Sequence, residues 1–233
     1  MPAFQQCRTE LEPSPDCPLC RRLAEYRNSL RAIEPEWHNA PVPSFGTSRA
    51  RLLVVGLAPG LKGANRTGRP FTGDFAGELL YDTLISFGFA IGAYERSRSD
   101  GLKLASCMIT NAVRCVPPQN KPAPSEVKNC RSFLAATIAA LKELRVIVAL
   151  GRVAHDSVLR AIEAKPAAFP FAHGAEHVLE SGDAASRSQK RSAASVTIID
   201  SYHCSRYNTN TGILTREMFR MVFVKALARL ECS

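Results

Sequence analysis

Short apolar runs alternate with longer amphipathic stretches along most of this chain. Arg51 to Val55, Met108 to Val113, Val146 to Leu150 and Val196 to Ile199 are brief and rich in Val and Ile, the pattern of strands buried on both faces. Between and around them, apolar residues recur at helical spacing. Arg21 to Ile33 carries Leu23, Tyr26, Leu30 and Ile33, and Ala76 to Phe87 carries Leu79, Leu80, Leu84 and Ile85. Ser125 to Leu144 places Val127, Cys130, Leu134, Ile138, Leu141 and Leu144 on or near one stripe, Val153 to Ile162 forms another helix, and Thr215 to Leu230 closes the chain with Met218, Met221, Val222, Ala226 and Leu230. This alternation predicts an α/β fold whose parallel sheet is covered on both faces. Pro35 to Thr47, with three prolines, reads as an extended connection, and the Ser-, Ala-, Lys- and Arg-rich Gly182 to Ser195 as a mobile basic loop.

The strand ends carry the unusual residues. Arg51 to Val55 runs into Gly56-Leu57-Ala58-Pro59-Gly60 and then Asn65-Arg66-Thr67-Gly68-Arg69-Pro70-Phe71-Thr72-Gly73-Asp74, and ligands of open α/β sheets bind at such carboxyl ends. Two phosphate-binding patterns are excluded: Gly60-Leu61-Lys62-Gly63 does not fit G-x-x-x-x-G-K-[ST], and Gly56 and Gly60 are spaced wrongly for G-x-G-x-x-G. On residue types alone, an ordinary turn explains the stretch as well as a nucleotide-handling loop does. The second strand delivers Asn111 and Cys115, then Pro117 to Pro124; the fourth delivers Asp200 to Gly212, including His203.

Composition narrows the class. The 233 residues suffice for one domain, with the N-terminal segment, about 1–47, packing on it. Thirty Lys and Arg against 21 Asp and Glu give +9, which points to a polyanion, nucleic acid first and an anionic membrane surface second. No apolar run approaches the ~20 residues of a membrane span, and Met1 to Leu11 has no signal-peptide core, so a cytoplasmic protein without membrane association is expected. There, eight cysteines read as ligands or buried thiols rather than disulfides. Cys17-x-x-Cys20 is either a redox pair without a thioredoxin-like context or half of a ligand set. With Cys115 and Cys130 it gives four thiolates, enough for a tetrahedral metal site or a [4Fe-4S] cluster; spacing does not decide between zinc and iron-sulfur. Cys7, Cys107, Cys204 and Cys232 are expected to be non-ligands.

Taken in order, G-L-A-P-G, N-R-T-G-R-P-F-T-G-D, T-N-A-V-R-C-V-P-P-x-N-K-P and Y-H-C-S-x-x-N-T-x-T-G resemble the uracil-DNA glycosylase superfamily, specifically its iron-sulfur branch called family 5 or type B. The resemblance runs from about Cys17 to the last helix. It implies a three-layer α/β/α sandwich around a four-stranded parallel sheet, and a [4Fe-4S] cluster on Cys17, Cys20, Cys115 and Cys130 with a structural role, in preference to zinc. It also implies a monomeric, monofunctional glycosylase of damaged DNA, located at the nucleoid. The rival reading is a non-catalytic nucleic-acid-binding protein on the same scaffold. Two departures stand out: His203-Cys204-Ser205 replaces the family's usual H-P-S, which should loosen that loop, and Leu57 and Ala58 stand where related families place a polar residue, which is itself usual in family 5.

Roles follow from the resemblance. An enzyme reaches the bond between base and sugar by turning the nucleotide out of the stack. His203 would donate to the base oxygen as charge develops there, against the plainer role of capping backbone groups. Asp74 would hold or activate water, or simply cap the helix that follows. Phe71 would stack on the base, Asn111 would read its edge, and Gly56, Leu57 and Ala58 would wall the pocket. The apolar Leu57-Ala58 pair leaves room for larger deaminated bases such as hypoxanthine beside uracil. Arg66, Arg69, Ser205, Arg206, Tyr207 and Asn208 would meet DNA, with Tyr207 as a wedge, and Ser186 to Ser192 would add phosphate contacts. His173 is a weaker pocket candidate.

Overall fold

The computed structural model describes residues 11–179 and 195–231. Cys7, Cys232 and the expected basic loop, apart from Ser195, lie outside them. The described chain begins with helix α1 (Arg21–Ile33) and a two-residue strand β1 (Phe45–Gly46), then enters the sheet at β2 (Leu52–Gly56). A one-turn helix α2 (Ala64–Thr67) and helix α3 (Phe75–Ser86) lead to a small pair of strands, β3 (Ala90–Ile91) and β4 (Lys103–Leu104), and to β5 (Cys107–Asn111). Helix α4 (Pro124–Ala140), strand β6 (Val146–Leu150), helix α5 (Arg152–Ala161) and strand β7 (Glu176–Leu179) come next. Strand β8 (Val196–Ser201), the short α6 (Arg206–Asn210) and the closing α7 (Arg216–Glu231) complete the fold.

The four apolar runs become four parallel strands in the order β5-β2-β6-β8. Side chains along a strand alternate between faces, so each strand feeds two cores. Leu52, Val54, Val146, Val148 and Ile199 pack with Leu80 and Leu84 of α3 and Phe219, Val222 and Phe223 of α7. Leu53, Val55, Ile147, Ala149 and Ile198 pack on the other face with Leu134 and Ile138 of α4 and Val158 and Leu159 of α5. The expected three layers are therefore present. Each strand is buried throughout its length, with Met108 the one half-exposed position.

The sheet is wider than the sequence pattern indicates, because β1 pairs antiparallel with β5 and β7 antiparallel with β8. Two residues in β1 cannot show a period, and β7 keeps Val178 43% exposed while carrying Glu176 and His177. Such short strands cover the edges of the parallel core. Helix α4 ends at Ala140 rather than at Leu144; Leu141 and Leu144 stay buried in the turn that follows, which is why the apolar stripe outruns the helix.

From β2 the chain goes to β5 on one side, then crosses back to β6 on the other. This reversal at β2 opens a crevice beyond the carboxyl ends of the strands, where ligands of such sheets bind. Gly56 pairs with Asn111 at the mouth of that crevice. Beside it, β8 is anchored by Asp200, which is wholly buried and lies 2.7 Å from His155 Nδ1 and 3.1 Å from His177 Nε2. His155 Nε2 lies 2.8 Å from the Phe169 carbonyl. The ring thus sits between a carboxylate and a backbone carbonyl, a setting that favours its protonated form. Burial pulls the His155 pKa down, but the Asp200 bond and charge outweigh it and leave the pKa raised.

Candidate active site and cysteine cradle

A groove of about 760 Å3 lies over these strand ends. Leu57, Ala58 and Gly60 from the β2 end, Phe71 and Asp74 from the next loop, Asn111 and Asn120 from beyond β5, and His203, Ser205 and Arg206 from beyond β8 line it. Residues scattered over almost 150 positions of sequence thus share one surface.

Asn111 is 3% exposed, and its Oδ1 has no hydrogen-bond partner. Gly56 makes its placement possible: a Cβ there would collide with Asn111 Oδ1 and with the edge of the Phe71 ring. Leaving a buried acceptor unmet costs about 1–3 kcal/mol, a cost that a ligand N–H entering the groove would remove. The Phe71 and His203 rings stack with centroids 5.9 Å apart and planes 27° apart. Phe71 adopts φ +52°, a left-handed backbone that bulky residues rarely take without a compensating reason.

Asp74 serves two ends at once. Its Oδ1 accepts from Gly77 N–H at 3.2 Å and caps α3, while its Oδ2 faces Gly60 and Gly63. A Cβ at Gly63 would collide with that oxygen, so the glycines keep the space over it clear. Burial raises the carboxyl pKa against the opposing N–H bonds of Gly77 and Ala76. His203 keeps part of its ring open to the groove, yet with no counter-charge beside it burial lowers its pKa to about 4. It is therefore a neutral imidazole at physiological pH.

The loop after His203 packs inward through Cys204. That thiol is fully buried in the core and donates to the Ala76 carbonyl at 3.5 Å. Ser205 caps α6 by accepting from Asn208 N–H, and Asn208 Nδ2 donates to the His203 carbonyl at 2.9 Å. Asn208 thus holds the backbone of His203.

Among the residues expected at DNA, Arg66 and Arg206 are exposed, the latter with its guanidinium 5.3 Å from the Phe75 ring centroid, and Tyr207 is 70% exposed. Arg69 does not belong with them. It is 3% exposed, pairs through both terminal nitrogens with Asp100 at 2.7 Å, and lies against the rings of Phe45, Tyr81 and Tyr94. Sequence shows an arginine beside glycine and proline; burial is decided by the aromatic residues that close over it. His173 likewise lies away from the groove, accepting from Tyr202 N–H and stacking on the Tyr202 ring. Asn120 and Lys62 line the groove and were not among the expected residues. Consecutive positive φ values at Gln119 and Asn120, both +56°, put Asn120 there, and a proline-flanked Gln-Asn pair was the available signal.

The four candidate cysteines converge elsewhere. Cys17 and Cys20 precede α1, Cys115 follows β5, Cys130 lies near the start of α4, and all four line one cavity with Leu23, Val113 and Phe133. Three sulfurs have donors nearby: Asn129 Nδ2 at 3.7 Å from Cys20, Arg27 Nη1 at 3.8 Å from Cys115, and the Arg114 N–H at 3.3 Å from Cys130. Arg22 binds Glu126 through two nitrogens, fastening α1 to α4 across the cradle. Burial pushes the Cys115 thiol up to about 12 and the Cys130 thiol to about 11.

Arg27 is the informative neighbour. It is 3% exposed, and among the described residues its Nε has no partner and its other nitrogens reach only the Cys17 carbonyl and Cys115 Sγ. Asp16 is near enough to feel its charge but makes no hydrogen bond to it, and a buried cation whose N–H groups are incompletely met is costly. Four thiolates around a cationic group, carrying net negative charge, would supply the missing partner, so the donor set fits such a group. Among the described residues, the one set of three His, Cys, Asp or Glu ligand atoms within 4.8 Å of one another is His155, His177 and Asp200, so no three of these sulfurs approach that closely.

A sequence model of the uracil DNA glycosylase superfamily matches residues 43–228. The chain belongs to this superfamily. It is 43% identical over 216 residues to the Type-5 uracil-DNA glycosylase of Thermus thermophilus, covering 90% of this chain and 92% of the relative. It is 38% identical over 221 residues to that of Pyrobaculum aerophilum, covering 93% and 90%. The Type-4 uracil-DNA glycosylase of Archaeoglobus fulgidus is 37% identical over 114 residues, 48% of this chain and 49% of the relative. Likeness to the Type-5 glycosylases thus spans nearly the whole chain, whereas likeness to the Type-4 protein covers about half.

Proposed function

We propose that this superfamily member is a monofunctional glycosylase that hydrolyses the N-glycosidic bond of uracil in DNA and leaves an abasic site. The observation that carries the reading is the orphaned Asn111 Oδ1 in the same groove as the Phe71 ring, the cleared Asp74 Oδ2 and a neutral His203. Uracil offers an N–H for that acceptor, a flat face for Phe71, and a carbonyl oxygen for the imidazole N–H. As the bond breaks, negative charge grows on the base, where His203 donates. Positive charge grows on the sugar, where Asp74 stabilises it and holds the attacking water on Oδ2.

Leu57 and Ala58 place no carboxylate or amide on the facing wall, which supports acceptance of hypoxanthine as well. Cys17, Cys20, Cys115 and Cys130 would hold a [4Fe-4S] cluster. When bound, the cluster would cross-link α1, α4 and the β5 end, with no part in the bond-breaking step. The protein would act as a monomer on DNA at the nucleoid, its net charge of +9 favouring the polyanion.

The test uses end-labelled duplexes carrying uracil or hypoxanthine, incubated with protein purified without oxygen and then treated with alkali. Cleavage at the lesion only after alkali is expected. Tight binding without abasic product from either substrate would instead establish a binding protein. An absorption spectrum of the same preparation separates the iron-sulfur cluster from zinc, which is silent in the visible region.

A further inference from the structure

Phe71 holds a left-handed backbone that its bulky side chain does not favour, so something must hold it there. The surrounding loop is pinned at several points: Tyr81 Oη donates to the Pro70 carbonyl at 2.7 Å, Arg69 Nε to Thr72 Oγ1 at 2.7 Å, and Thr67 Oγ1 to the Thr72 carbonyl at 3.1 Å. The Phe71 peptide itself is held by Tyr94, whose hydroxyl donates to the Phe71 carbonyl at 3.1 Å and accepts from Gly73 N–H at 3.2 Å. Tyr94 lies between β3 and β4, outside every motif read from the sequence. Its ring stacks on Tyr81 with centroids 4.5 Å apart, above the buried Arg69. Gly77 completes the arrangement, because a Cβ there would collide with the Phe71 carbonyl and crowd the Tyr94 hydroxyl.

Resting on the glycosylase reading, we infer that Tyr94 is a positioning residue: its hydroxyl bridges the carbonyl before and the amide after Thr72, and so fixes the base-stacking Phe71 ring. A single bridging hydroxyl can both donate and accept, and burial raises the Tyr94 pKa, keeping the phenol protonated for the donor role. Phenylalanine at this position would keep the ring stack and lose only the bridge. A strained loop released by a fraction of an ångström displaces the stacking ring, and misplacement of that order costs roughly 10- to 100-fold in rate.

The experiment compares wild type, Tyr94→Phe, Phe71→Ala and the double variant in single-turnover uracil excision, with thermal unfolding and amide hydrogen exchange at Gly73 and Asp74. Tyr94→Phe should lower the excision rate roughly 10-fold or more, leave the affinity for DNA within about 2-fold, and speed exchange at Gly73. In the Phe71→Ala background the same change should cost under about 2-fold, because the ring it positions is gone. Equal losses in both backgrounds, or a Tyr94→Phe rate within about 2-fold of wild type, would overturn the inference. If wild type itself released no base, the glycosylase reading would fail, and unchanged exchange at Gly73 in Tyr94→Phe would separately refute the bridge.

Discussion

The groove and the cysteine cradle are both built around polar atoms without partners, but of opposite kinds. In the groove the open atoms are acceptors: Asn111 Oδ1 has no donor, and Asp74 Oδ2 looks onto glycines. In the cradle the unmet group is a cation, Arg27, beside thiols that burial keeps from ionising unaided. These acceptors, with the His203 imidazole beside them, suit a guest that brings N–H groups and a carbonyl oxygen and leaves again. A buried guanidinium with four thiols suits a resident of net negative charge whose loss would leave Arg27 incompletely met. The rest of each region agrees. The groove stores strain at Phe71 and stays open, whereas the cradle is closed by helix packing and by the Arg22–Glu126 pair.

Breaking the cradle should have the largest effect. Cys115→Ser should remove the visible absorption and lower unfolding stability by at least about 4 kcal/mol, since metal-site energy is folding energy; an unchanged spectrum and melting temperature would remove the cradle from the comparison. Arg69→Ala should come next, at about 3–5 kcal/mol, because Asp100 would be left buried and unpaired. The salt dependence of DNA binding should then stay as in wild type, whereas a shallower slope would restore Arg69 to the DNA surface.

In the groove, His203→Ala should cost ~100- to 1,000-fold in single-turnover rate with little loss of stability. With its pKa lowered to about 4, His203 is neutral from pH 5 to 8 and should add no limb to the rate profile there. Any acidic limb belongs to Asp74, whose raised pKa means that its carboxylate is lost first as pH falls. Asp74→Asn should abolish that limb along with most of the activity. A carboxyl whose pKa is raised on folding favours the folded state at low pH, and this advantage is lost as pH rises through the folded pKa. Asn should therefore leave stability at neutral pH equal or higher. An Asp74→Asn enzyme with full activity would reduce the residue to a helix cap. The smallest effect is expected at the rim: Arg206→Ala should weaken DNA binding and reduce the slope of log affinity against log salt by about 1.

Much of this was legible in the chain. Apolar runs such as Val146 to Leu150 need both faces buried, and helical stripes such as that of α4 need one, so the covered parallel core followed from periodicity. The edge strands did not, because β1 and β7 bury too little to leave a pattern. The motifs named Asp74, Asn111, His203 and the four cysteines as candidates, and the fold brings them into two sites. They also named Arg69, which the aromatic cluster of Phe45, Tyr81 and Tyr94 draws inside.

The order of strands, the glycine positions and the residue types of the loops are properties of the sequence alone, and they determined the family and the chemistry available to it. Which polar atoms go unmet was decided only in three dimensions. Asn111 loses its partner because β2 and β5 pair with Gly56 opposite it, Asp74 divides its two oxygens between cap and groove, and Arg27 is stranded among thiols from three separate segments. Desolvation depends on every element that packs around a group, and no local stretch of sequence records that.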